Sequence, residues 1–105
     1  MNDDQVRAAL EKLLKGGLKT ESEERAETDA VRTKIVTRLQ SIAAKDYAAK
    51  LTVAGFLDHP YATSEDGVLE ACETCMYFEQ HRQFCNLPEL SLAVKPQWSC
   101  RMWRI

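Results

Sequence analysis

The chain has 105 residues, of which 45% are hydrophobic, and it carries a formal net charge of −2 at neutral pH. This length suits one small domain, and this hydrophobic fraction argues against global disorder. Basic and acidic residues number ten each in residues 1–60, and four and six in residues 61–105. Neither half therefore has the basic excess that is typical of a nucleic-acid-binding domain.

The sequence contains no stretch that approaches the roughly 20 apolar residues of a membrane span. The acidic start of the chain also lacks the basic and then apolar pattern of a secretory signal. We therefore expect a cytoplasmic protein with no membrane association. In such a compartment thiols stay reduced, which affects how the cysteines are interpreted.

The first predicted element is an amphipathic helix over residues 3–15. Its apolar residues recur at steps of three and four and share one face: they are Val6, Ala9, Leu10, Leu13 and Leu14. Gly16 and Gly17 predict the end of this helix, because glycine readily adopts the left-handed conformation of a C-terminal cap. The almost wholly polar residues 19–29 then form either a linker or the solvated first turns of the next helix.

A second helical pattern runs from Ala30 to about Phe56, with Thr28 or Asp29 as its predicted N-cap. Two amphipathic helices with a short connection predict an antiparallel helical hairpin over residues 1–60. Their apolar faces exceed what two helices can bury against each other. We therefore expect these faces to contact the rest of the chain, a protein partner or a second copy in a homodimer.

All four cysteines lie in the last third of the chain, in the pattern Cys72-x2-Cys75-x9-Cys85-x14-Cys100. Four cysteines so close together in a reducing compartment indicate metal ligands rather than two disulfides. Helical periodicity disappears after Cys72, so ligand bonds would have to order this segment. The predicted fold is therefore mainly α, with the helical hairpin followed by a small, irregular four-cysteine metal-binding module over residues 61–105.

Four thiolates suit either a tetrahedral zinc ion or a four-iron cluster. Aromatic residues surround the cysteines, with Tyr77 and Phe78 soon after Cys75, and Trp98 and Trp103 on either side of Cys100. Apolar rings exclude water and tune a redox potential, which favours an iron–sulfur cluster. The same rings could instead form the core of the module, so Zn2+ stays open as the alternative.

The pattern C-x2-C-x-aromatic, a third cysteine followed by proline, a valine, and a tryptophan near the fourth cysteine resembles that of high-potential iron–sulfur proteins. It is also similar to the small iron–sulfur subunits of glycyl radical enzymes such as benzylsuccinate synthase. The resemblance covers residues 72–103 and does not extend to the helices. It implies that one [4Fe-4S] cluster is bound by Cys72, Cys75, Cys85 and Cys100.

We find no convincing catalytic triad, phosphate-binding glycine loop or paired carboxylates, so the leading hypothesis is a non-enzymatic accessory or regulatory protein that acts by binding a partner. One alternative is an electron-transfer or redox-sensing iron–sulfur protein. Another is a zinc-stabilised nucleic-acid-binding regulator that uses Lys34, Arg38 and Lys45, which would share one strip of a continuous second helix. Such a strip is more often a solvated face. His81 lies in a very polar run, and solvation explains it better than metal binding.

Overall fold

The computed structural model describes residues 1–62 and 67–105, and it contains three α-helices and one small antiparallel sheet. The helices are α1 (Asp3–Lys15), α2 (Asp29–Gln40) and α3 (Tyr47–Ala54), and the strands are β1 (Phe78–Glu79), β2 (Phe84–Cys85) and β3 (Leu92–Ala93). The sequence also predicts a short helical turn that starts at Ser64–Gly67 and leads to Ala71; residues 63–66 lie outside the described residues, and residues 67–71 are not helical. In the parts of the chain that are described, none of the helices has the length and apolar character needed to cross a membrane.

The first helix, α1, has the bounds that the sequence predicts. Its start is fixed by Asn2, whose side chain accepts a hydrogen bond of 2.8 Å from the backbone N–H of Gln5, while the Gln5 side chain accepts one of 3.0 Å in return. This reciprocal cap satisfies two donors that a helix start otherwise leaves free. Gly17 has a φ of 90° and turns the chain away after the helix. The apolar face of α1, with Leu10 fully buried, packs against β3.

The prediction of one continuous helix from Ala30 to Phe56 is wrong, because a turn over residues 41–46 divides that segment into α2 and α3. Thr28 caps α2, as predicted, and Asp46 caps α3 through its side chain. The break was not visible in the hydrophobic pattern because Ile42, inside the turn, also packs against the core. The expected two-helix hairpin is thus a three-helix arrangement.

The polar segment over residues 18–28, which we call the strap, has no regular secondary structure but is held against the rest of the protein. The backbone N–H of Glu21 donates to the carbonyl of Thr52 at 2.9 Å, and that of Ala26 donates to the carbonyl of Arg101 at 3.1 Å. The strap therefore joins α3 to the last residues of the chain, and it is not a free linker.

A single hydrophobic core joins the helices to the cysteine-containing segment. The helical part contributes Leu10, Ile35, Leu39, Leu51 and Phe56, and the later part contributes Leu90, Leu92, Val94, Trp98 and Met102. The apolar faces of the helices are thus covered largely by this chain's own residues. The sheet was not predicted, because each strand has only two residues and is too short for an alternating pattern to be recognised.

Candidate metal centre

The first two cysteines are brought together by a single 3-10 turn, Cys72–Thr74. The backbone N–H of Cys75 donates to the carbonyl of Cys72 at 3.0 Å, which closes the two-residue gap. The N–H of Cys72 donates to the carbonyl of Trp98 at 2.6 Å. This second bond holds the turn beside the segment that carries Cys100.

The third cysteine is positioned by the sheet. Phe78 on β1 lies directly opposite Cys85 on β2. Residues opposite each other in an antiparallel pair project from the same face, so both side chains reach the same side of the sheet. The connection between the two strands turns through Gln83, which has a φ of 53°. The nine residues between Cys75 and Cys85 thus include β1, the turn and the first residue of β2, so that a short hairpin brings Cys85 back toward Cys75.

The fourth cysteine is positioned by a bridge between two distant segments. The backbone N–H of Leu57 donates to the carbonyl of Ser99 at 2.8 Å, and the N–H of Ser99 donates back at 3.1 Å. The residues next to this bridge are Phe56, which follows the C-cap of α3, and Cys100. Both of these neighbours line the cavity described next.

One cavity lies among the four cysteines, and its exposed lining is wholly apolar. The cavity is narrow and partly open to solvent, and it has room for about one water molecule unless a side chain moves. Three of the cysteines are buried and Cys75 is half-buried. The lining residues are Phe56, Cys72, Cys75, Phe78, Cys85, Cys100 and Trp103.

Burial controls the protonation of these thiols in the absence of a bound metal. Desolvation raises the pKa of Cys85 to about 12, although a hydrogen bond from the backbone N–H of Leu87 opposes part of that rise. Desolvation and the neighbouring cysteines also raise the pKa of Cys72 and of Cys100 well above the usual range. At neutral pH these three thiols are therefore neutral, and a metal that binds them must displace their protons.

The donor set and its surroundings fit a thiolate-bound metal group, since four sulfur ligands share one water-poor cavity. As the side chains stand, no set of three or more His, Cys, Asp or Glu residues among residues 1–62 and 67–105 is arranged to hold a metal ion. A single zinc would require all four sulfurs about 2.3 Å from one point. The structure shows that all four cysteines line one cavity, and this holds for either metal group.

The structure separates the other predicted site residues from one another. Trp103 lines the cavity, whereas Trp98 is buried in the core. His81 is exposed. The proposed basic strip is not on one helix, because α2 ends before Lys45, and Arg38 donates hydrogen bonds of 2.7 and 2.6 Å to the carboxylate of Glu21.

Phe56 was missed by sequence reasoning as a wall of the cavity. It precedes the first cysteine by 16 residues, and no local motif links it to the cysteines. Its position follows from the Leu57–Ser99 bridge, which only the folded chain forms.

The chain matches no known family model, no curated protein and no solved structure.

Proposed function

We propose that this protein binds one [4Fe-4S] cluster through Cys72, Cys75, Cys85 and Cys100 and acts in electron transfer or redox sensing. The observation that carries the proposal is the shared apolar cavity that all four cysteines line. In a four-iron cluster each thiolate binds its own iron atom, so the four sulfurs must surround the cluster, and the side chains around this narrow cavity would have to move apart to admit it. The bound cluster would supply reversible one-electron chemistry.

The chain's own residues explain what the site would do for such a group. Apolar rings wall the cavity, and they belong to Phe56, Phe78 and Trp103. These rings exclude water and lower the local dielectric constant, so that nearby charges interact more strongly with a bound group. The backbone N–H groups of Leu87 and Met102 donate to the sulfurs of Cys85 and Cys100. Hydrogen bonds of this kind stabilise negative charge on a ligand sulfur.

An electron donor or acceptor would approach this site at Cys75, which is the least buried of the four cysteines. Its neighbour Met76 is 59% exposed, so the surface next to this ligand is apolar. The expected protein partner on the helix faces remains a prediction. The helix faces leave less apolar surface for such a partner than the sequence suggests, because they pack largely into the chain's own core.

Anaerobic purification followed by metal and sulfide analysis tests the proposal. We expect a brown protein with about four iron atoms and about four inorganic sulfides per chain. It should also show an electron paramagnetic resonance signal that appears or disappears on one-electron reduction or oxidation. The His81→Ala variant is the matched control and should keep the full cluster, because His81 is exposed. A colourless protein that carries zinc in stoichiometric amount would refute the proposal.

A further inference from the structure

An arginine whose side chain is mostly buried donates a hydrogen bond to the backbone of one of the proposed ligands. Arg25 belongs to the strap, and only 11% of its side chain is exposed. Its guanidinium stacks on the ring of Tyr61, with 3.7 Å between Cζ and the ring centroid. It donates hydrogen bonds to the carbonyl of Ser22 at 3.0 Å, to the carbonyl of Cys100 at 3.1 Å and to the carboxylate of Glu70 at 3.1 Å.

The position of this charge is significant because Cys100 is itself buried. A guanidinium stays protonated at any physiological pH, so its charge is permanent. In a poorly solvated site a fixed charge acts over several ångströms with little screening by salt. The carboxylate of Glu70, whose side chain is 18% exposed, offsets part of that charge.

We propose that Arg25 raises the reduction potential of the bound cluster and that Glu70 opposes this effect. The inference rests on the proposed function, since it concerns the same site. Reduction transfers one electron from a low-potential donor to the cluster, with no bond made or broken, and leaves the site one unit more negative. The positive charge of Arg25 stabilises that added negative charge, and the carboxylate of Glu70 disfavours it.

Arg25 also joins three segments of the chain, so its loss would have structural effects that must be separated from its charge. Arg25→Lys keeps the charge but loses the planar, multiply bonded geometry of the guanidinium. Arg25→Met keeps the apolar stem and loses the charge. Glu70→Gln keeps the size of the side chain and a hydrogen-bond acceptor, and it removes only the negative charge.

The experiment measures the midpoint potential of each anaerobically purified variant by titration with dithionite in the presence of mediator dyes. Arg25→Met should shift the redox equilibrium about tenfold toward the oxidised form, which corresponds to about 59 mV for a one-electron couple. Glu70→Gln should shift it in the opposite direction by roughly threefold. Arg25→Lys should stay closer to the unmodified protein than Arg25→Met does.

Lys34→Met is the control, because it removes the same charge from an exposed position on α2 and should leave the potential unchanged. Equal cluster content with unchanged potentials in Arg25→Met and Glu70→Gln would overturn this inference and leave the proposed function standing. Shifts of the same sign in both variants would also overturn it, because that result indicates a purely structural effect. If Arg25→Met does not fold, the sign of the Glu70→Gln shift decides alone. Zinc in place of a cluster would overturn both proposals.

Discussion

The helical part of this protein and its cysteine-containing part are stabilised in different ways. Each helix satisfies most of its backbone internally and begins at a capping side chain, which is Asn2, Thr28 or Asp46. The cysteine-containing part has strands of only two residues, and several of its backbone bonds join distant segments, as between Cys72 and Trp98. Local sequence therefore suffices for much of the first part, whereas the second depends on the shared core and on the proposed ligand bonds.

The largest effect is expected when one of the proposed ligands is removed from the cysteine-containing part. Cys100→Ser should abolish cluster binding, and metal binding contributes on the order of 10 kcal/mol in small metal-folded domains. Residues 72–105 should lose amide protection in hydrogen exchange. Because α1 packs against β3 and is short enough to be marginal alone, its protection should fall as well.

Thr74→Ser provides the control for the ligand variant. The Thr74 hydroxyl lies within hydrogen-bond distance of the carbonyls of Leu69 and Ala71, which share its single donor, and it accepts from the indole of Trp103 at 2.9 Å; serine keeps that hydroxyl. This variant should bind the full cluster. Native amide dispersion over residues 72–105 in metal-free Cys100→Ser would contradict the claim that a metal orders this part.

The next effect tests the contact between the two parts at the strap. Gly55 ends α3 with a φ of 67°, and a Cβ atom there would lie 2.6 Å from the carbonyl oxygen of Glu21. Gly55→Ala therefore has two costs: alanine is strained in the left-handed conformation, and its Cβ atom clashes with the backbone of Glu21. Together they should lower the free energy of unfolding by about 2–4 kcal/mol. Urea denaturation measures this loss.

Gly17→Ala separates those two contributions. Gly17 has a φ of 90°, but nothing lies within 4 Å of a Cβ atom at that position. This variant should therefore lose only about 1 kcal/mol, from backbone strain alone. Equal losses in the two glycine variants would show that the strap moves away from α3 at no cost.

A smaller effect concerns the cavity wall rather than the fold. Phe78→Ala opens a half-buried side of the cavity and should cost roughly 1–2 kcal/mol of stability. Water and oxygen would then reach the cluster, so its absorbance should bleach several times faster in air. Tyr77→Ala is the matched control, because Tyr77 packs against the core next to Phe78 but does not line the cavity. Equal bleaching rates in the two variants would argue against a protective role for Phe78.

The same comparison explains which parts of the fold could be predicted from the sequence. The bounds of α1 followed from apolar periodicity and from the glycines after Lys15, which are local signals. The break at residues 41–46 was missed because periodicity continues through it in Ile42. In that segment the start of a new helix is indicated by its capping residue, Asp46, and not by the hydrophobic pattern.

The candidate site could be predicted as far as its cysteines and two of its aromatic walls, Phe78 and Trp103, which lie near the cysteines in the sequence. Their spacing implied a shared site, and the structure brings all four to one cavity. The contributions of Phe56 and Arg25 depend on contacts between segments far apart in the chain, through the Leu57–Ser99 bridge and the bond to the Cys100 carbonyl. No periodicity or motif encodes such contacts.

The smallest expected effect concerns the ion pairs that join α1 to the other part. The hydrogen bond from Arg82 holds the pKa of Asp3 below its usual value, and that from Lys95 does the same for Glu11. A carboxylate with a lowered folded-state pKa adds stability above its unfolded-state pKa, and that stability is lost as the pH falls through the folded-state value. Acidification below about pH 4.5 should therefore weaken the attachment of α1.

The Asp3→Asn, Glu11→Gln double variant should show a smaller loss of urea midpoint between about pH 6 and about pH 3 than the unmodified protein. Both proteins share every other acid-sensitive group, so the difference between their two losses reports on these pairs. Glu23→Gln removes an exposed carboxylate from the strap and should leave the pH dependence unchanged. In high salt the two proteins should lose more nearly equal amounts of urea midpoint on acidification, because salt screens exposed ion pairs. A double variant with an unaltered pH dependence would show that α1 is held by its apolar face alone.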